Sequence, residues 1–399
     1  MMQTEIRTHS NQDFFKTIIP IITSVFSVYL TIGMTAGMLP GYIETNLKFN
    51  SIIVGVVIGA QALATLVTRA YAGKLTDTKG AQYSSRLGGI LGIITAVLYV
   101  TAAFLYSIPV WALIILIAAR ILHGIAESLL VTGSLTWGIG LTGVAKSGKV
   151  MTWNGIAMYA GIAIGAPLGL ALSKTINFET AFGAISILSI VSLLVTSKLP
   201  ALPVDLTHVR HPFHKVVGKI APQGLGLAFS SIGFACISSF IVLMYTQKQW
   251  GDASLAFMLF GGFYILVRLL FSSFPDKHGA YKVALVSLFI ELIGQLLIGF
   301  SVSKTMALIG CSLTGAGFSL IFPSLGVLAI QKVSPQMRGT ALGAYGAFFD
   351  LSLGIAAPVA GLIANWFDYQ AVYLFGSISV VIAVLVLWSG RKNTDKSTA

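Results

Sequence analysis

Three ionisable side chains stand on one predicted helical face inside a long apolar run. Glu127 follows Arg120 by seven residues and His123 by four, and Ser134 lies a further seven residues on. Positions with this spacing point in the same direction from a helix. A carboxyl group balanced between burial and a nearby arginine can load and release a proton. The spacing therefore predicts a proton carrier at Glu127, with a static Arg120–Glu127 pair joining two helices as the alternative.

Each of the other polar groups in apolar segments is compatible with more than one role. His123 could share the proton, bind a substrate, or hydrogen-bond a neighbouring carbonyl group. Asp350 could be a second proton site or a hydrogen-bond acceptor between two helices. Glu291 and Gln295 have the spacing of neighbours on one helical face, which favours a structural pair.

The composition places all of these groups in a membrane protein. Of 399 residues, 56% are hydrophobic and 10% are charged, and the mean hydropathy is +0.87. Soluble domains carry about 25% charged residues, so an ordinary soluble protein and a disordered chain are both excluded. The two cysteines, Cys236 and Cys311, lie in apolar runs, which excludes a disulfide scaffold and a CxxC site.

The apolar runs predict an all-α membrane protein with twelve spanning helices, since a bilayer core needs about 20 apolar residues per helix. A polar turn at Ser107–Pro109 divides the longest uncharged run into two spans. The first apolar run is itself long enough to span, so no cleavable signal peptide is expected. The predicted spans are 14–39, 51–72, 84–106, 109–138, 150–173, 180–199, 220–247, 254–274, 282–301, 305–331, 339–365 and 370–389.

Basic residues predict the orientation of these spans. With the N-terminus on the cytoplasmic side, 18 of the 25 Lys and Arg residues lie in or beside cytoplasmic loops and tails, and 4 lie in the opposite loops. Positively charged loops stay on the cytoplasmic side of a membrane. The pattern predicts cytoplasmic N- and C-termini, and it accounts for the net charge of +12 without a nucleic-acid partner.

An internal repeat divides the chain into two parallel halves. The pattern Arg69-x7-Asp77-x2-Gly80-Ala81 recurs 199 residues later, beginning at Arg268. A second set of matches lies 191 residues apart and pairs Gly124 with Gly315, Gly148 with Gly339, Gly155 with Gly346, and Ala166-Pro167 with Ala357-Pro358. We predict six-helix halves at 1–199 and 220–399, joined by a cytoplasmic loop at 200–219. Parallel repeats of this kind are typical of transporters with a midplane substrate site.

At this point the chain resembles the major facilitator superfamily over essentially its whole length. Gly73–Ala81 looks like the signature loop between spans two and three, and Pro275–Ala280 like a degraded second copy. Arg120 and Gly124 match a fourth-span motif. The segment Phe348–Gly354 is similar to a pattern in the bacterial arabinose-efflux-permease-like subgroup. The fifth-span motif associated with antiporters is matched by Gly161, Gly165, Pro167 and Gly169.

The resemblance implies roles for two groups of residues. The repeated loop motif either gates the cytoplasmic side or anchors the topology, and its residues are Gly73, Asp77, Gly80, Arg69, Asp276 and Arg268. The superfamily fold implies that spans one, four, seven and ten line the cavity. Candidate substrate-binding residues, taken from these and neighbouring spans, are Tyr29, Gln61, Ser134, Trp153, Asn154, Tyr159, Ser238 and Tyr245. Pro167 and Pro358 either kink their spans or are tolerated without effect.

The central loop contains three histidines, His208, His211 and His214, which could hold Zn²⁺ or Ni²⁺. A basic linker close to the lipid is the favoured interpretation, and we expect neither a metal site nor a cofactor. The stretch from Arg391 onward is expected to be a disordered tail.

The sequence as a whole predicts a monomeric transporter of the bacterial inner membrane that binds a small molecule and protons. The resemblance implies export by proton antiport. A proton-coupled importer of a sugar, organic acid or metallophore, and a sensor without transport, are the alternatives. No GxxxxGK[ST] motif for ATP is present, and the absence of HExxH and GxSxG patterns argues against an enzyme.

Overall fold

The computed structural model describes residues 11–143, 146–203, 214–333 and 337–397, and it shows twelve helices long and apolar enough to cross a membrane. In the first half these are α1 (Asn11–Gly41, continued by a π-helical turn Tyr42–Asn46), α2 (Ser51–Lys79), α3 (Ala81–Phe104), α4 (Pro109–Thr142), α5 (Ser147–Thr175) and α6 (Phe178–Thr196). In the second half they are α7 (His214–Gln247), α8 (Ser254–Phe271), α9 (Ala280–Gly299), α10 (Lys304–Gln331), α11 (Arg338–Trp366) and α12 (Tyr369–Ser397).

The ends of the helices follow local capping chemistry. The side chains of Asn50, Asn177 and Ser303 accept hydrogen bonds from the backbone N–H groups three residues on, at the starts of α2, α6 and α10. Such caps satisfy N–H groups that a helix start leaves free. Pro109 begins α4, where its missing N–H costs nothing. The predicted twelve-span architecture is confirmed.

Three predicted boundaries are wrong. The motif Gly73–Ala81 is not a loop, because α2 continues to Lys79 and turns only at Gly80, whose φ of +99° favours glycine. Helix α7 begins inside the predicted linker, at His214, and α12 continues beyond Arg391 to Ser397. The predicted spans end where polar residues begin, but a helix can extend past the bilayer core into water.

The two halves repeat their internal packing. A methyl group on Gly124 of α4 would overlap the carbonyl oxygen of Gln61 on α2. A methyl group on Gly315 of α10 would overlap the carbonyl oxygen of Phe260 on α8. These contacts are related by the same shifts of 191 and 199 residues that the sequence shows. Glycine at both positions lets the helix backbones approach closely, as small residues do in membranes.

The halves meet closely at one end of the bundle. We call the end that carries the first residues of α1 the termini side, and the end that carries residues 47–50 and 367–368 the far side. On the far side Ser51 Oγ lies 3.0 Å from Tyr369 Oη, which also hydrogen-bonds Glu44. Lys174 Nζ lies 2.8 Å from an oxygen of Asp252. These contacts tie the first half to the second on the far side.

Candidate functional site

A cavity of about 90 Å³ lies between the halves. One wall, from α1, α2 and α4, is polar, and the facing wall, from α5, α7 and α11, is largely apolar. The polar side chains on the first wall are Tyr29, Thr35, Gln61, Thr65, Arg120 and Glu127, and the second wall includes Met158, Tyr159, Phe234, Ser238, Ser239, Phe349 and Asp350.

Glu127 is half-buried and is held by neutral donors from two neighbouring helices. Tyr29 Oη donates to Oε1 at 2.9 Å, and Gln61 Nε2 donates to Oε2 at 2.9 Å. The hydroxyl of Thr65 lies 3.3 Å from Oε2, but its single proton is shared with the carbonyl oxygens of Gln61 and Gly124. Within the part of the chain that the structure describes, no salt bridge reaches Glu127. A proton or a positively charged group of a substrate can therefore neutralise this carboxylate.

Arg120 does not form the pair with Glu127 that the sequence left open. Its guanidinium donates to the carbonyl oxygens of Val57 and Ile58 at 3.3 and 3.0 Å, and to Thr35 Oγ1 at 3.2 Å. These acceptors belong to α2 and α1, and Arg120 itself lies almost two turns before Glu127 on α4. Arg120 thus ties α4 to the two helices beside it at one end of the cavity.

His123 lies inside the first half and is 2% exposed. Its Nε2 lies 3.0 Å from Thr31 Oγ1, and its Nδ1 lies 3.3 Å from Tyr99 Oη. Both ring nitrogens therefore have hydroxyl partners on α1 and α3. His123 does not line the cavity, and its hydrogen bonds to two hydroxyl groups fit a structural role inside the first half.

Asp350 joins the two halves through an ion pair with Arg69. Arg69 Nε on α2 lies 2.5 Å from an oxygen of Asp350 on α11, and Asp350 is 4% exposed. The contact makes Asp350 an acceptor between helices from different halves, which is one of the two roles open in the sequence. Since the charges are paired in a membrane interior, each offsets the desolvation cost of the other.

Stacked rings form the apolar wall and its backing. The ring centroids of Tyr159 and Tyr264 lie 3.6 Å apart, and those of Phe234 and Phe260 lie 5.4 Å apart at an interplanar angle of 15°. Phe318, which the repeat aligns with Glu127, packs 6.0 Å from Phe234. The second half therefore offers an aromatic surface where the first half offers a carboxylate, and such a surface suits the apolar body of a ligand.

Four predicted substrate residues do not line this cavity. Ser134 hydrogen-bonds Ser85 at 3.0 Å, between α4 and α3. Trp153 packs against Phe15, Asn154 donates to the sulfur of Met158, and Tyr245 packs against Trp250 near the far side. The cavity does contain Tyr29, Gln61, Tyr159 and Ser238, as well as Thr65, Phe234 and Phe349, which the sequence analysis missed. Thr65 is four residues from Gln61, and this spacing is a signal that could have found it.

The motif glycines have a packing role. Methyl groups on Gly161 and Gly169 of α5 would lie 2.7 Å from the Leu30 nitrogen and 2.5 Å from the Met34 oxygen of α1, and one on Gly165 would overlap the Leu30 oxygen. This glycine face lets α5 cross α1 closely. Pro167 lies inside the same helix.

The remaining motif positions are distributed along the termini side. Gly73 is buried inside α2, and Asp77 is half-buried in its last turn. Asp276 lies in a short helix, Phe274–His278, and Arg268 lies in the last turn of α8. Among the described residues no group of three His, Cys, Asp or Glu side chains could hold a metal ion, while His208 and His211 lie outside those residues.

Comparisons with known proteins agree with this architecture. A family model described as Major Facilitator Superfamily matches residues 21–219 and 224–399. An uncharacterized MFS-type transporter of Salmonella typhimurium is 37% identical over 371 residues, which cover 93% of this chain and 95% of the relative. A D-xylose-proton symporter matches with a TM-score of 0.76 and 15% identity, covering 93% of this chain and 97% of that one. The nucleoside transporter NupG matches with a TM-score of 0.73 and 16% identity, covering 93% of this chain and 98% of that one.

Proposed function

Because the chain belongs to the major facilitator superfamily and is a multi-pass membrane transporter rather than an enzyme, we propose that it exports a small molecule in exchange for protons. Transport would proceed by alternating access, in which the cavity faces one side of the membrane at a time. The proposal includes a location in the bacterial inner membrane with cytoplasmic termini, supported by the distribution of basic residues.

The observation that carries the proposal is the carboxylate of Glu127 in the cavity between the halves. It accepts hydrogen bonds from Tyr29 and Gln61 and has no ion-pair partner in the described part of the chain. Gln61 suits both protonation states, because its Oε1 is buried without a partner in this arrangement. After protonation of Glu127, a rotated Gln61 amide can accept the new O–H.

Exchange follows if proton and substrate exclude each other at Glu127. A substrate that enters from the termini side brings a positive group to the carboxylate and displaces the proton. Reprotonation from the far side then weakens this contact and releases the substrate. Ion pairs between the halves must rearrange during the cycle, and the Arg69–Asp350 pair is one of them.

Export is supported by the glycine face of α5, which resembles the antiporter motif. With cytoplasmic termini, the contacts of Tyr369 with Ser51 and Glu44 close the periplasmic end. An exporter collects its substrate in this state, and an importer releases its substrate in the same state.

The proposal can be tested with everted membrane vesicles that hold an acid-inside pH gradient. Candidate drugs, sugars, amino-acid derivatives and metallophores are added, and collapse of the gradient is recorded. We expect one class of compound to collapse the gradient with wild-type protein and with Glu179→Gln, which changes an acid outside the cavity lining. Glu127→Gln vesicles should not respond. A full response from Glu127→Gln would refute the assignment. An antiporter moves the compound into the vesicle lumen as protons leave it, whereas a proton-coupled importer moves both in the same direction.

A further inference from the structure

The repeat relates two arginines that have equivalent surroundings. Arg69 on α2 corresponds to Arg268 on α8, and each reaches across to a glycine of the opposite half. A methyl group on Gly346 would lie 3.2 Å from Arg69 Nη1, and one on Gly155 would lie 3.2 Å from Arg268 Nη2. Gly346 and Gly155 are themselves related by the 191-residue shift. The two guanidinium groups thus occupy matching positions on the two seams between the halves.

The arginines differ in their acidic partner. One turn after Gly346, Asp350 accepts a hydrogen bond from Arg69 Nε. One turn after Gly155, the corresponding residue is Tyr159, which is neutral and stacks on Tyr264.

The contacts of Arg268 include no acidic side chain among the described residues. Its Nη2 donates to Tyr264 Oη at 3.2 Å, and the guanidinium carbon lies 5.6 Å from the centre of that ring. Its Nε is buried and has no hydrogen-bond partner among the described residues, and the whole residue is 8% exposed. A guanidinium group stays charged in proteins, and burial of a charge without an acidic partner is costly. Such a residue usually receives a partner during function.

We infer that Arg268 binds an anionic group, a carboxylate or phosphate, of the transported molecule. The ion pair of Arg69 with Asp350 shows that a carboxylate fits this geometry in the other half. Tyr159 lines the cavity and stacks on Tyr264, whose hydroxyl accepts a hydrogen bond from Arg268, so the guanidinium lies behind this aromatic wall rather than in the lining itself. Guanidinium groups bind carboxylates and phosphates through paired, charge-assisted hydrogen bonds.

The inference rests on the proposed function and narrows its substrate. Under exchange at Glu127, the carboxylate there receives a positive group, while Arg268 receives a negative one. The rings of Tyr159 and Phe234 offer a surface for an apolar body between them. The substrate class is therefore a zwitterion with an aromatic or apolar body.

A direct test uses thermal stability of the purified full chain in detergent, with benzoate and inorganic phosphate as probes and 2-phenylethylamine as a cationic control. We expect benzoate or phosphate to raise the Tm of the wild type in a concentration-dependent way, and Arg268→Gln to abolish that rise. The response to 2-phenylethylamine should be the same in both proteins. Equal shifts with the anions in wild type and Arg268→Gln, or no shift in either, would overturn the inference.

A charge-replacement series tests the geometry without any ligand. Tyr159→Asp supplies the acid that the other half has, and Tyr159→Asn is its neutral match. When Arg268 is present, we expect the Tm of Tyr159→Asp to exceed that of Tyr159→Asn by about 2 °C or more. In the Arg268→Gln background this Tm difference should disappear or change sign. A Tyr159→Asp protein no more stable than Tyr159→Asn would contradict the assignment. If neither variant folds, the anion titrations decide.

These measurements are independent of proton coupling, because no pH gradient is present. Loss of the anion effect with intact antiport would refute the anion site alone. An intact anion effect, together with gradient-driven transport in Glu127→Gln, would refute the proton role and leave the anion site standing.

Discussion

Replacement of Gly55 by alanine should open the far side of the transporter. Gly55 lies on α2 where that helix crosses α11, and an added methyl group would overlap the carbonyl oxygen of Ala357. It would also lie 2.9 Å from the Ala357 carbonyl carbon and 3.0 Å from the Pro358 Cα. Backbone atoms cannot rotate away as a side chain can, so the two helices must separate by roughly half an ångström or more to restore ordinary carbon contacts.

The size of the effect follows from the packing cost. Overpacking a tight contact costs about 1–3 kcal/mol, and this cost applies to the state in which the far side is closed. A state in which α2 and α11 separate at that end is relieved of it. The equilibrium should therefore shift toward the far-open state by about 5- to 150-fold.

The assay measures access to the cavity from outside intact cells. A cysteine replaces Ser238 in the cavity wall, in a protein whose buried Cys236 and Cys311 are changed to alanine. A thiol reagent that cannot cross the membrane should label this cysteine faster after Gly55→Ala. Gly262→Ala is the matched control, since nothing lies within 4 Å of the added methyl group on α8. Unchanged labelling in a well-folded Gly55→Ala protein would show that the α2–α11 crossing does not close the far side.

Two further predictions concern packing and surface charge. Gly124→Ala and Gly315→Ala should each lower the free energy of unfolding by about 1–3 kcal/mol. Their Tm should be lower than that of Gly262→Ala, whose added methyl group has nothing within 4 Å. Equal Tm values in all three variants would contradict the close helix contacts. Partial burial alone would raise the pKa of Asp252, but hydrogen bonds, among them the one from Lys174, lower this pKa below its usual value of 3.8. The Lys174–Asp252 pair therefore contributes to stability above pH 3.8, and its contribution is lost only as the pH falls below that value. The thiolate is the reactive form of a cysteine, so each labelling rate is divided by that of a solvent-exposed reference cysteine at the same pH. The normalised far-side labelling should then be constant between about pH 5 and 8. Asp252→Asn should raise it by less than about fivefold, because an exposed pair contributes at most ~1 kcal/mol, and a larger rise would make this pair the main contact that holds the far side closed.

The sequence predicts the fold well because each span carries its own signal. An apolar run of membrane length reports a helix regardless of its neighbours, and the repeat adds the relation between the halves. Glu127 is also visible in the sequence, since an acid inside an apolar run is costly and therefore informative. What fails is the assignment of helix ends, where the runs become polar before the helices stop.

The partners of the charged groups could not be predicted in the same way. Arg69 and Asp350 are 281 residues apart, and only the packing of α2 against α11 brings them together. Arg120 donates hydrogen bonds to backbone carbonyl groups of α2, and a pattern of side-chain types cannot predict such acceptors. Phe234 is one of 24 phenylalanines, so its place in the cavity depends on how the helices are rotated against one another.

The claim that Glu127 couples protons to transport is tested most directly by two fluxes in one preparation. Purified protein is reconstituted in liposomes with the compound that the vesicle screen identifies. Exchange of labelled for unlabelled compound requires alternating access but no net proton movement, whereas accumulation against a gradient of the compound requires coupling to protons. Glu127→Gln is expected to lose the gradient-driven accumulation and to retain the exchange, but at higher concentrations of the compound because the contact with its positive group is weakened. Glu179→Gln should retain both. Accumulation by Glu127→Gln at the wild-type rate would contradict the account.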